Sequence, residues 1–397
     1  MTLLEVESLH TQFPVEHGTV RAVDNVDLNV EPGEIIGLVG ESGSGKSVFA
    51  ESIMGILEAP GKIVDGDIRF RSLPTVRDLA NRYPDRVADR SRPSRTSGGN
   101  TISGGDDFVV VESRDGSEIT AGYVELTRAP EDAMSTLRGG EVAMVFQDPM
   151  NSLNPTITVG EQIAETVRLH QGVGESSRLS SEIKRKILGA TKNSDAWRRA
   201  IEMLEAVEIP EPESRAGDYP HEFSGGMRQR AMIAMALASE PELLITDEPT
   251  TALDVTIQAQ ILNELEGLKD EFDTAILMIT HDLAVVAEVC ERVSVMYAGE
   301  VVERANAKEM FANPQHPYTQ GLIASTPRLE DPDDEVEPIP GTVPDLTDIP
   351  YACHFAPRCP EAERECFEVD PDFREVGTEG KPHKAACLRR GSEEERL

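Results

Sequence analysis

Long apolar runs are missing from this 397-residue sequence. No stretch approaches the roughly 18–20 apolar residues that a membrane-spanning helix needs. The N-terminus, "MTLLEVESLH", has no basic segment followed by an apolar core, so it does not read as a signal peptide. The expectation is a soluble, cytoplasmic chain, or one held at a membrane through partners. Lysine is scarce and arginine supplies most of the positive charge. With 72 Asp and Glu against 38 Lys and Arg, the formal net charge is -34. Such a surface repels phosphate, which excludes a general nucleic-acid-binding role. It also repels itself in dilute buffer, so a salt-rich cytoplasm is expected, where screening is strong. Cysteine is sparse too, with five in all, and a reducing cytosol disfavours structural disulfides. Internal repeats and sustained heptads are absent.

What is present suffices for a core. Hydrophobic residues make up 39% of the chain, enough for one large domain with appendages or for two domains. "EIIGLVG" (Glu34 to Gly40) reads as a buried strand, "ESGSGKS" as a glycine loop and "VFAESIMGIL" as a helix. "GGEVAMVFQDP" gives a further strand ending at Gln147, "ELLITDEP" and "AILMITHD" two more, and "RVSVMYAGEVVERA" a hairpin around Ala298 and Gly299. From Ile163 to about Ala238 the pattern is mostly helical. Strands alternating with helices predict an α/β core with a mostly parallel sheet. Residues 71–118 break the pattern. Arg71, Arg77, Arg82, Arg86, Arg90, Arg92 and Arg95 crowd the first half, and the stretch reads as a polar, partly flexible surface insertion. Residues 172–196 read as a second, smaller one. Beyond about 310 the chain is Pro-rich and acidic, like a linker.

Three motifs carry chemistry. "GESGSGKS" satisfies the phosphate-loop pattern and stands between a strand and a helix. Gly40, Gly43 and Gly45 let the backbone wrap an anion, with Ser42 among them, and the following helix adds its positive dipole end. Lys46 is placed to reach the β- and γ-phosphates of ATP, and Ser47 to offer its hydroxyl to Mg²⁺. "LLITDEP" delivers Asp247 and Glu248 to the carboxyl end of a buried strand, where α/β sheets bind ligands. Asp247 suits Mg²⁺, through water, and Glu248 suits a general base that polarises the attacking water. "FSGGMRQR" contains Ser224, Gly225 and Gly226 just upstream of that strand.

The phosphate loop, Gln147, "SGGM", "ITDEPT", "ALD" (Ala252 to Asp254) and "THD" (Thr280 to Asp282) follow one another in the order of an ABC transporter ATP-binding subunit. The resemblance covers roughly residues 3–325 apart from the insertions. It implies a P-loop NTPase nucleotide-binding domain over 1–322, with an antiparallel β subdomain and a helical subdomain at about 148–238, followed by a C-terminal extension over 323–397. It further implies head-to-tail dimers that sandwich two ATP molecules, so that Ser224, Gly225 and Gly226 serve a site whose lysine comes from the other subunit. Gln147 would sense Mg²⁺ and the attacking water, His281 would contact the γ-phosphate and help orient Glu248, and Asp254 would lie at the dimer seam. Phe13 is the candidate to stack on adenine, or else a core phenylalanine. Met227 stands where the family's general pattern has Gln, a substitution familiar in the peptide-importer branch.

The tail resembles that branch as well. "NPQHPYTQGLIASTPRL", "PGTVPDL" and "FAPRCP" are similar to segments of oligopeptide/dipeptide importer ATP-binding subunits, a branch that includes nickel importers. The implied partners are a second ABC subunit, favouring a heterodimer, two membrane permeases and an extracytoplasmic solute-binding protein, with the chain peripheral at the cytoplasmic face. The other class considered is a soluble ABC ATPase of repair or translation; one phosphate loop, no coiled coil and no basic patch outside the insertion weigh against it. The composition resembles that of salt-adapted archaea, set against a merely acidic mesophilic protein.

Four of the five cysteines, Cys353, Cys359, Cys366 and Cys387, crowd this tail. Four thiolates suit a [4Fe–4S] cluster or a four-cysteine zinc site. The close cysteine pair that usually opens a zinc site is missing, and the wide spacing suits the bulkier cluster. Zinc and unligated thiols stand as the alternatives. His354 and His383 are possible substitute ligands but read as exposed surface histidines.

Overall fold

The computed structural model describes residues 2–91, 106–147, 152–170, 195–249, 266, 267, 269, 272–325, 338–347, 349–377 and 381–390. Asp254, Arg92, Arg95 and nearly all of the stretch 172–196 lie outside them. The chain forms two compact units, residues 1–134 with 278–397, and residues 135–277. The strand Ala275–Thr280 carries the chain from the second into the first. Among the described residues no helix is long and apolar enough to cross a membrane.

The first unit contains two sheets. One is six-stranded, in the order Gly18–Val30, Leu4–Val15, Lys62–Phe70, Glu118–Glu125, Val109–Asp115, Val87–Asp89. Its neighbours pair antiparallel except the last, which is parallel. In the other, Ile35–Val39 pairs parallel with Arg292–Tyr297, which turns back antiparallel into Glu300–Asn306. Ile35–Val39 is buried along its whole length, which is why it reads as an unbroken apolar run rather than an alternating one. The predicted hairpin turn is present, with Ala298 at φ 48° and Gly299 at φ 89°, the left-handed pair that matches strand twist in a tight hairpin.

The stretch expected as a polar insertion holds more structure than its composition announces. Ser72 caps a helix, Leu73–Arg82, whose Val76 and Leu79 are buried, and Phe108 to Val111 are buried core. Three of its arginines pair with carboxylates: the half-buried Arg71 with Glu5 and Glu112, Arg77 with Glu118, and Arg82 with Asp78. Arginine density conceals the apolar positions spaced between.

The tail is no simple linker. His383–Ala386 adds antiparallel to Glu300–Asn306 and pairs in turn with Phe373–Glu375. Ile349, Ala352, Phe355, Ala356 and Ala385 are buried. The two histidines expected on the surface are buried as well. His383 lies against the buried Glu303, with Nε2 2.6 Å from Oε1. His354 Nδ1 is 3.0 Å from the Ala298 carbonyl oxygen. A sequence shows that histidines are polar; only packing shows that a carboxylate or a carbonyl awaits them inside.

In the second unit, Val142–Val145 and Leu243–Asp247 pair in parallel. Three helices, Val159–His170, Asp195–Ala206 and Gly225–Leu237, pack on one another. Arg230 fastens this bundle from inside, its guanidinium donating to the Val207 and Glu208 carbonyls at 2.9 and 3.2 Å.

Candidate nucleotide-binding site

In the first unit the strand Ile35–Val39 runs into the glycine loop, and the helix Lys46–Met54 begins at once. The backbone path demands glycine at two points. A Cβ on Gly40 would lie 2.1 Å from the Met296 carbonyl oxygen. Gly45 has φ 103°, and a Cβ there would lie 2.1 Å from the Ala22 carbonyl oxygen. The Ser44 carbonyl accepts the Gly299 N–H at 2.9 Å, which ties the loop to the hairpin. No side chain caps the helix N-terminus, where the dipole favours an anion. Lys46 is buried and its ammonium donates to the Gly40 and Glu41 carbonyls at 2.8 and 3.0 Å. The loop therefore holds its cation over its own mouth. Ser47 is half-buried on the first helical turn, and Ser42 and Gly43 are exposed. Phe13 is half-buried, with the edge of its ring against Gly61. His281 is exposed directly after the strand Ala275–Thr280, and the next residue, Asp282, caps the following helix by accepting from Ala284 N–H at 2.9 Å.

In the second unit Asp247 is buried at the carboxyl end of its strand. Glu248 follows in a left-handed conformation, φ 49°, unusual for a residue with a side chain and frequent where function fixes the backbone. Gln147 Nε2 donates to Glu248 Oε2 at 2.7 Å, so two residues 101 positions apart meet. Ser224 and Gly225 are exposed at the start of Gly225–Leu237, and Gly226 is buried. The Ser224 hydroxyl accepts the Met227 N–H at 3.3 Å, a helix cap.

The four tail cysteines wall one cavity of about 10 Å³ in the first unit, with His316 and Phe355 among its neighbours. That is the room of about one water. Burial pushes the Cys353 thiol up to about 12 and raises those of Cys359, Cys366 and Cys387. Among the described residues the one group of three or more ligand atoms within 4.8 Å of one another is Asp24, Glu300 and His354; the thiols are not so closely grouped. Cys290 stands apart, buried, its thiol also pushed up to about 12 by burial.

Three residues escaped the sequence reading. Tyr318 Oη accepts the Glu41 N–H at 2.9 Å, and Arg358 pairs with the Glu41 carboxylate at 2.7 Å. Glu41 lies inside the quoted motif and Arg358 inside "FAPRCP", but nothing local joins positions 317 residues apart.

The chain is similar to known proteins along most of its length. The ABC transporter family profile matches residues 23–98 and 112–251. The profile described as "Oligopeptide/dipeptide transporter, C-terminal region" matches 302–366. The chain is 41% identical over 369 residues to the oligopeptide transport ATP-binding protein OppD of Salmonella typhimurium, covering 93% of this chain and 89% of that one. It is 41% identical over 373 residues to the oligopeptide transport ATP-binding protein AppD of Bacillus subtilis, covering 94% and 93%. Among solved structures, the ATP-binding cassette MJ0796, in a dimeric post-hydrolysis state bound to ADP and Pi, superposes with a TM-score of 0.53 at 22% identity, covering 77% of this chain and 98% of that one. That last likeness speaks for the fold alone.

Proposed function

The chain belongs to the ABC transporter family of ATP-binding subunits, and from that premise we propose that it hydrolyses ATP to energise a membrane importer of di- or oligopeptides. The observation that carries the peptide reading is the oligopeptide/dipeptide C-terminal region at residues 302–366, behind a phosphate loop whose glycines, Lys46 and Ser47 are all in place.

Each part of the chain has a chemical task in this reading. The loop amides and Lys46 bind the β- and γ-phosphates, with the ammonium turning from its present carbonyl partners to the incoming anion. Ser47 and Asp247 are hard oxygen donors and suit Mg²⁺, which when bound neutralises charge on the phosphates. Glu248 accepts the proton of the attacking water, and the Gln147 amide at 2.7 Å orients its carboxylate. His281 supports the γ-phosphate. Ser224, Gly225 and Gly226 face a second subunit's nucleotide, Asp254 is assigned to the dimer seam, and Phe13 supports the adenine. The exposure of Ser224 and Gly225 supports such a partner. The full assembly comprises a sister ATP-binding subunit, two permeases and an extracytoplasmic binding protein, with this chain on the cytoplasmic face.

Two finer readings join it. The cysteine tail holds a [4Fe–4S] cluster of structural or redox-sensing role. Four thiols on one cavity supply the donors, and no three of their sulfurs lie within 4.8 Å of one another, a looser grouping than the about 3.8 Å that tetrahedral zinc with 2.3 Å bonds sets between its ligands. The void itself is small, so binding the cluster requires the four side chains to part. The net charge of -34 supports service in a salt-rich cytoplasm.

Glu248→Gln tests the central reading. The variant binds ATP normally in the assembled complex and hydrolyses it about 10²–10⁴-fold more slowly. Near-normal turnover would remove Glu248 from the base role.

A further inference from the structure

We infer that Arg358, in the cysteine tail, is a positioning residue of the phosphate loop: by holding the Glu41 carboxylate it keeps the loop's acidic side chain off the phosphates and strengthens Mg-ATP binding. This rests on the reading of Gly40–Ser47 as the nucleotide loop.

Glu41 is the one acidic residue in "GESGSGKS". A carboxylate in a loop that receives a polyphosphate opposes it electrostatically unless it is neutralised and held aside. Arg358 does both. Its Nη1 and Nη2 donate to the two Glu41 carboxylate oxygens at 2.7 and 3.1 Å, a two-pronged pairing that fixes direction as well as charge. The Arg358 side chain is 5% exposed and that of Glu41 29%, so water screens the pair only in part. The guanidinium is itself held: Nε donates to the Pro340 carbonyl at 3.0 Å, Nη2 reaches the Ile339 carbonyl at 3.4 Å and Nη1 the Tyr297 hydroxyl at 3.4 Å. Glu41 is gripped along its backbone too. Its N–H donates to Tyr318 Oη at 2.9 Å and its carbonyl accepts from Lys46 Nζ at 3.0 Å. Arg358 thus grips the residue whose carbonyl accepts from Lys46, the ammonium assigned to phosphate.

The position of Arg358 gives the contact a second consequence. It ends the short turn Ala356–Arg358, and Cys359 follows directly. Cys353 lies on the other side of the same turn, and its carbonyl accepts the Ala356 N–H at 3.0 Å. The Cys359 thiol therefore stands on the residue next to the arm that holds Glu41. The sequence adds a reason for selecting such an arm: in a chain of net charge -34, any further negative potential at the mouth weakens anion binding.

Mg-ATP affinity of the full-length chain, measured by displacement of a fluorescent ATP analogue, tests the inference with four variants. Arg358→Ala weakens binding about tenfold, a typical coupling between sites. Arg358→Ala combined with Glu41→Gln recovers to within about threefold of the parent, because no carboxylate is left to neutralise. Should Arg358→Ala fail to fold, Arg358→Gln, which removes the charge and keeps a polar side chain, gives the same comparison. Lys46→Ala is the control on the underlying reading. If Lys46→Ala loses binding while Arg358→Ala and Arg358→Gln retain it, the positioning role is overturned and the phosphate loop stands. If Lys46→Ala binds normally, the loop reading and this inference fall together. A loss in Arg358→Ala that Glu41→Gln does not restore marks a merely structural arginine and overturns the proposal.

Discussion

Eight consecutive residues, Gly40–Ser47, supply the phosphate loop, whereas the four tail thiols come from positions spread between 353 and 387. Both regions lie in the first compact unit. The loop is fixed by backbone: left-handed angles at Gly43 and Gly45 and carbonyl oxygens where any Cβ would sit at Gly40 and Gly45. The tail is fixed by packing and by one buried carboxylate. Glu303 accepts the Gln315 and His316 N–H groups at 2.6 and 2.7 Å and meets His383 at 2.6 Å, which pins the tail strand against the hairpin. A backbone-built site tolerates almost no change of residue type at its tight points. A packing-built site tolerates the loss of one thiol, because its strand pairing and its buried apolar side chains persist.

The largest effect expected from this contrast is in the loop. Gly45→Ala must place a methyl group into the Ala22 carbonyl at φ 103°, so the loop shifts. A displacement near 1 Å costs about 10²-fold in function, and Mg-ATP affinity falls to that extent. Gly43→Ala is the internal comparison. It carries the same class of strain, at φ 79°, with nothing within 4 Å of the added carbon. A penalty of about 1 kcal/mol, or a few-fold in affinity, is expected. Equal losses in the two variants would refute the claim that close backbone approach, rather than dihedral angle, sets the loop.

The tail should respond less sharply. Anaerobically purified chain is expected to carry about four iron and four sulfide and a visible absorption band. Cys359→Ser loses the metal and melts several degrees lower while staying folded. Colourless protein with stoichiometric zinc would replace the cluster with zinc, and protein without either metal would leave free thiols. The smallest and most diffuse effect concerns the surface that both regions share. The melting temperature should rise by several degrees as KCl screens carboxylate repulsion. A flat or falling curve would reject adaptation to salt.

The legible parts of the site share a property. Strand, glycine loop and helix around Lys46 could be read because their chemistry is local, within one supersecondary unit. The acidic pair Asp247–Glu248 could be read because a buried strand announces its own end. The Gln147–Glu248 contact was not read, since nothing in either segment specifies its partner; resemblance to a family gave only a place for Gln147 beside Mg²⁺ and the attacking water. The helix Leu73–Arg82 was hidden by arginines on its outer face. His354 and His383 were misplaced because a polar residue in a polar, Pro-rich segment looks exposed until a partner for it is found.

The sequence by itself determined the loop, the order of the motifs and the identity of the chemical groups, because backbone conformation and the short-range spacing of glycine, lysine and serine follow from residue type within a few positions. Only the tertiary structure decided that the tail is a strand on the first unit's sheet, that its histidines are inside, and that Arg358 grips Glu41. The physical reason is that burial and charge pairing depend on which surfaces meet. Those meetings join Glu303 to His383 across 80 residues and Glu41 to Arg358 across 317, distances over which no local pattern carries information.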